Sequence, residues 1–171
     1  MKREILQYPN PLLSRKAEEI REITPEIREL AKDMAEAMYE SRGVGLAAPQ
    51  VGECCRLIVV DISGPEERAD LMTLINPVVV HREGSVEEEE GCLSVANFKA
   101  KVKRAQKVMV KAQDLDGNAV ELPGEGLMAV CLQHEIDHLD GVLFIDHISR
   151  LKRALYDSKV KKKLKAKKTQ D

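Results

Sequence analysis

Apolar residues recur at helical spacing through Ile27, Leu30, Ala31, Met34 and Met38, which predicts an amphipathic helix with one face in a core. Thr24-Pro25-Glu26 gives its start, a hydroxyl cap followed by proline in the first turn. The helix should stop before Gly43. Strand-like runs follow at 56–61, at 71–80 with a break near Pro77, and at 85–90. Val108, Val110 and Ala112 alternate with other residues, and Asp116-Gly117 marks a hairpin turn before 119–122. Leu127, Met128, Val130, Cys131 and Leu132 are then apolar on most sides of a second helix, which predicts burial. Pro123-Gly124 before it and Gly141 after it serve as start and stop. Helix, strands, then helix predicts an α+β fold with a mostly antiparallel sheet.

Inside the second helix, residues 134–138 read His-Glu-Ile-Asp-His. Side chains four apart stand on one helix face, so His134 and His138 can hold one ion while Glu135 lies beside it. This is the geometry of metal-assisted hydrolysis. The fold is therefore expected to pack its sheet around a central metal-binding helix. Two imidazoles and a carboxylate in a buried helix are costly to desolvate without a partner, and a cation supplies one.

Catalytic zinc-type sites use three protein ligands and a water. Phe144 stands where a metzincin has its third His, and no Glu follows Glu135, so neither common protease pattern is completed. The remaining candidates are His81, His147, Asp146 and the cysteines Cys54, Cys55, Cys92 and Cys131. Cys131 lies on the histidine face but about two turns, roughly 10 Å, from His138, and reads as a packing residue. Cys92 sits in a glycine-flanked loop and would be a strong ligand as its thiolate. Among the acidic run 87–90, Glu87 and Glu89 read as solvated, and Glu90 as the one that positions this loop. Residues 43–50, taken alone, read as a loop leaving a helix with Gly43 as left-handed cap.

Length and charge refine the picture. The chain has 171 residues, enough for one domain with a core. Its aromatics are only Tyr8, Tyr39, Phe98, Phe144 and Tyr156, so aliphatic residues and Met must fill that core. No stretch approaches the roughly 18 apolar residues of a membrane span. Ile5 and Leu6 make no signal-peptide core, and four cysteines beside that absence predict reduced thiols and a cytoplasmic location. Residues 150–171 contain ten Lys or Arg and two Asp, a net of +8, so with −2 overall residues 1–149 carry −10. We expect 1–149 to be a single catalytic domain. Residues 150–171 form a basic helix or tail, held to the body through Leu151, Leu155 and Leu164 and free, or disordered, at its end. Its charge suits phosphate-rich surfaces.

Three segments together resemble one family. Gly43-Val44-Gly45-Leu46-Ala47-Ala48-Pro49-Gln50, Glu90-Gly91-Cys92-Leu93-Ser94 and Gln133-His134-Glu135-Ile136-Asp137-His138 are similar, in order and spacing, to the signature motifs of the bacterial peptide deformylases. The resemblance runs from Tyr8-Pro9-Asn10-Pro11-Leu12 to Gly141-Val142-Leu143-Phe144. It implies removal of the formyl group from the formyl-methionine of new polypeptides, with release of formate. It implies a divalent metal on Cys92, His134 and His138, natively Fe2+, with Zn2+, Ni2+ or Co2+ accepted in preparations. It implies Glu135 as general acid/base, Gln50 and the Leu93 backbone N–H as the oxyanion hole, and Val44, Gly45 and Gly91 against an extended peptide. Leu127, Val130 and Cys131 are candidates for a methionine pocket. Ala96 stands where the family usually has proline, and Lys99 where it often has arginine. The protein is expected to be a monomer whose basic tail docks on ribosomal RNA. Two rivals are an atypical endopeptidase and a nucleic-acid-associated protein with a structural Cys-His-His metal.

Overall fold

Two antiparallel sheets enclose the motif helix in the computed structural model, which describes residues 1–170. The chain supplies α1 (Pro25–Glu40), β1 (Gly45–Ala47), β2 (Leu57–Val60), a single turn α2 (Gly64–Glu67) and β3 (Met72–Glu83). It continues through β4 (Val86–Cys92), β5 (Val95–Arg104), β6 (Lys107–Gln113), β7 (Ala119–Glu125), α3 (Leu127–Leu139) and α4 (Arg150–Lys168). One sheet has the order β1-β2-β3-β6-β7, and β4 pairs with β5 alone. The architecture is α+β, as the sequence pattern predicts.

Thr24 caps α1 by accepting the Ile27 N–H at 3.3 Å, and Leu30, Ala31, Met34 and Met38 are buried against β1 and β2. Its end differs from expectation. Arg42, not Gly43, takes the left-handed conformation, with φ 59°. Arg42 N–H then bonds Tyr39 O and Gly43 N–H bonds Met38 O, each at 2.9 Å, which is the Schellman arrangement. Gly43 is left free to lead into an edge strand, β1, where a loop was expected.

The break near Pro77 is a bulge within a continuous β3: pairing with β6 shifts between Ile75 and Val78. Asn76, at φ 51°, uses its side chain to bond both Ile20 N–H and Ile20 O at 2.9 and 2.8 Å. Asp114 Oδ1 accepts from Asp116 and Asn118 N–H at the β6–β7 turn. Strand β5 was not expected, although Val95, Ala100, Val102 and Arg104 are its buried positions.

Pro123 and Gly124 belong to β7, so α3 begins directly after Gly126 and has no side-chain cap. Residues Ala129 to Ile136 are all buried, because the helix is packed on β7, β1 and β2 at once. It ends as predicted: Gly141, at φ 73°, donates to His138 O while Val142 donates to Asp137 O.

Helix α4 is attached by other residues than the leucines. Leu151, Leu155 and Leu164 are 72%, 59% and 44% exposed. Tyr156 is its buried residue, with ring centroids 4.6 Å from Phe98 and 5.9 Å from Tyr8. Around it Tyr8 donates to Asp157 at 2.6 Å and Arg153 pairs with Asp146. The last residue of the expected tail, Asp171, lies outside the described residues.

Candidate metal centre and active site

The β4–β5 hairpin turns in two residues, Leu93 and Ser94, between the paired Cys92 and Val95. That turn brings Cys92 Sγ to 3.4 Å from His138 Nε2, which is 3.3 Å from His134 Nε2. The three donor atoms lie within 4.8 Å of one another. Donors about 2.0–2.3 Å from a tetrahedral ion stand roughly 3.3–3.6 Å apart, and the two closer spacings match. The donor set therefore fits a divalent cation. The other sequence candidates lie elsewhere: His81 is exposed, Asp146 pairs with Arg153 and His147 with Asp137, and burial pushes the Cys131 thiol up to about 12.

The two imidazoles are prepared in opposite senses. Burial, then the charges of His134 and Arg104, holds His138 well below the usual histidine value, so it presents a lone pair. Burial also opposes charge on His134, but its bonds to Cys92 and Glu90 hold it well above that value. His134 Nδ1 lies 2.9 Å from Glu90 Oε1, which directs its Nε2 toward Cys92 and His138. Glu90 is in turn gripped by Arg104 through two bonds of 2.9 Å. Burial pushes the Glu90 carboxyl up, yet Arg104 and His134 keep it below its ordinary range. Arg104 also pairs with Asp137, whose carboxylate meets His147 at 2.9 Å. The chain His134–Glu90–Arg104–Asp137–His147 thus runs from the centre to the surface.

Sequence reasoning singled out Glu90 and weighed His147 only as a metal ligand; it gave no role to Arg104, Asp137 or Ser94. For Arg104 a signal existed: a charge at the same strand parity as Val102 and Ala100, on the face that is buried.

Glu135 is 5% exposed and its Oε2 has no hydrogen-bond partner among the described residues. Burial raises its carboxyl to about 7, the range suited to proton transfer near neutrality. Gly45 lies directly against it: a Cβ on Gly45 would come 2.6 Å from Glu135 Oε1, so any side chain there requires Glu135 to move. Gln50 is 1% exposed; its oxygen accepts from Ala47 N–H at 2.9 Å, and its nitrogen donates to Ser94 Oγ at 3.1 Å.

A cleft of about 990 Å³ joins these groups. Val44, Gly45, Gln50, Gly91, Cys92, Leu93, Leu127, Val130, Cys131, His134 and Glu135 all line it, and His138 lies behind, 1% exposed. Its rims carry edge strand β1 on one side and β4 on the other. The substituted positions Ala96 and Lys99 face it too, Lys99 lying across Gly91.

Comparison with known proteins gives the same answer throughout. The family profile described as polypeptide deformylase matches residues 2–154. The chain is 51% identical over 166 residues to a peptide deformylase of Acidobacterium capsulatum, covering 97% of this chain and 98% of that one. A peptide deformylase of Thermodesulfovibrio yellowstonii is 50% identical over 160 residues, covering 94% and 97%. Among solved structures, the Legionella pneumophila peptide deformylase superposes with a TM-score of 0.91 at 43% identity, covering 98% of each chain. The Synechococcus elongatus enzyme in complex with actinonin gives 0.86 at 36% identity, covering 94% of this chain and 87% of that one. Family profile, relatives and neighbours agree over nearly the whole length, and this chain belongs to the polypeptide deformylase family.

Proposed function

We propose that this hydrolase removes the formyl group from N-formyl-methionyl peptides as they are synthesised, by the following division of labour. Cys92, His134 and His138 would hold a divalent ion, which would supply Lewis acidity toward water and the formyl carbonyl. Glu135 accepts the proton of the attacking water and returns it to the leaving amine, a role worth roughly 10²- to 10⁴-fold. The Gln50 amide and the Leu93 N–H stabilise the negative oxygen that develops, at about 3 kcal/mol for each well-placed donor.

The peptide lies extended against Val44, Gly45 and Gly91, adding its backbone between the two sheet edges. Its methionine enters the apolar side formed by Leu127, Val130 and Cys131. The observation that carries this reading is the unpartnered, buried Glu135 carboxylate beside a Cys-His-His cluster at the base of an open cleft. Formate release from formyl-Met-Ala-Ser tests it. Glu135→Gln should abolish turnover and keep the metal; casein cleavage without formate release would sink the reading in favour of an endopeptidase.

The native ion in this proposal is Fe2+, with Zn2+, Ni2+ or Co2+ as substitutes, since one thiolate and two imidazoles suit all of them. Activity lost in air but kept in a nickel-loaded sample supports iron; indifference to oxygen refutes it. Residues 1–149 act as the catalytic body, working as a monomer in the cytoplasm. The basic segment 150–171 docks on ribosomal RNA, through counterion release from phosphates. Deleting 157–171 should weaken ribosome binding and flatten its salt dependence, and unchanged binding would refute that role.

A further inference from the structure

The side-chain amide of Gln50 has its orientation fixed at both ends. Its oxygen accepts from Ala47 N–H at 2.9 Å, which settles which end is nitrogen. Its nitrogen carries two protons. One goes to Ser94 Oγ at 3.1 Å, and the other is donated to Cys92 Sγ at 3.6 Å, on the cysteine side of the cleft. Gln50 and Ser94 are 1% and 0% exposed, which leaves water little chance to replace either partner.

We propose that Ser94 is a positioning residue for the reaction: its hydroxyl oxygen holds one proton of the Gln50 amide so that the other, which rests on Cys92 Sγ, faces the cleft and passes to the substrate's carbonyl oxygen when substrate binds. The inference rests on Gln50 acting as an oxyanion donor.

The spacing between the two residues is set by backbone. Leu6 N–H bonds Gln50 O at 2.7 Å and Tyr8 N–H bonds Ser94 O at 2.8 Å. One extended segment therefore ties both main chains, and a change of the Ser94 side chain leaves those bonds in place. What it loosens is the nitrogen end of the Gln50 amide, which keeps only the Ala47 bond at its oxygen and the long contact to Cys92 on a terminal torsion that is broad by itself. A donor contributes most when it is aligned before charge develops. Loss of alignment should accordingly appear in kcat, with KM and metal retention little changed.

The test compares nickel-loaded wild type, Ser94→Ala, Ser94→Cys, Gln50→Leu and the double variant Gln50→Leu/Ser94→Ala. Formate release from formyl-Met-Ala-Ser gives kcat and KM, and metal content and thermal midpoint report the fold. We expect Ser94→Ala to lower kcat about tenfold, part of the roughly 10²- to 10³-fold that a whole donor contributes. Ser94→Cys, keeping a weak acceptor of similar size, should fall between. In the Gln50→Leu background Ser94→Ala should change nothing further. In the metal-free protein, the Gln50 side-chain NH2 resonances should shift with Ser94→Ala. An unchanged kcat in Ser94→Ala while Gln50→Leu is crippled overturns the proposal. So does an equal loss from Ser94→Ala with and without Gln50, which marks a packing defect. An unimpaired Gln50→Leu overturns the oxyanion reading itself, and this inference with it.

Discussion

Glu90 Oε1 stands 2.9 Å from His134 Nδ1, and that contact selects the nitrogen with which His134 faces the centre. A carboxylate behind a ligand imidazole fixes its ring and tautomer and raises its basicity. Glu90→Gln keeps the shape but removes the charge that Arg104 and His134 both answer. Cobalt or nickel affinity, measured by chelator competition, should fall about 10- to 100-fold; an unchanged dissociation constant would remove Glu90 from the metal's support.

The buried Glu135 carboxyl imposes a pH signature on the metal-free protein. Burial raises Glu135 from 4.5 to about 7, so the folded state holds a proton that the unfolded chain has already lost. Folded stability from this group is therefore intact below 4.5 and declines as pH rises to about 7, after which the ionised carboxylate stays buried. The loss is roughly 3 kcal/mol at about 1.4 kcal/mol per unit. Glu135→Gln should raise the unfolding free energy by about that much at pH 8 and by little at pH 4. Equal effects at both values would contradict the buried-carboxylate account.

Gly45 is predicted to matter through Glu135 as well as through the peptide it faces. A methyl group there would stand 2.6 Å from Glu135 Oε1 and must push the carboxylate aside. A displacement of that order costs on the order of 100-fold in rate. Gly45→Ala should lose kcat to that extent yet bind metal normally; full activity would show that Glu135 has room elsewhere.

Helix α4 offers a contrast between exposed and buried residues. Tyr156→Ala should destabilise the protein by about 3 kcal/mol, as for other buried aromatics. Leu151→Ser and Leu155→Ser, on the exposed side, should stay within about 0.5 kcal/mol. Denaturant melts of the three variants check this, and similar losses in all three would place the leucines in the docking surface after all.

Local rules sufficed where a residue acts within its own element. The Thr24 cap, the Asp116-Gly117 turn and the Gly141 stop are each decided by a few neighbouring backbone groups. The pairing of His134 with His138 is likewise a matter of helix pitch. Contacts between elements were harder to read. Strand β5 alternates Ala100, Val102 and Arg104 on its inner face, but an arginine there looks like a break in the pattern until Glu90 and Asp137 are seen around it. Tyr156 took the place expected of Leu151 and Leu155 because Phe98 and Tyr8 lie where an aromatic ring can reach them. The three-residue β1 was too short for any periodicity to mark.

The cleft's two rims are unpaired strand borders, one from each sheet. A guest read by main-chain pairing on such borders must arrive unfolded over its first residues. An N-terminus already wound into a helix, or stitched into its own sheet, has no free amides to offer. On the pairing proposed above, processing by this protein would be confined to a short interval: after the terminus has emerged, and before the newborn chain has claimed that terminus for its own architecture.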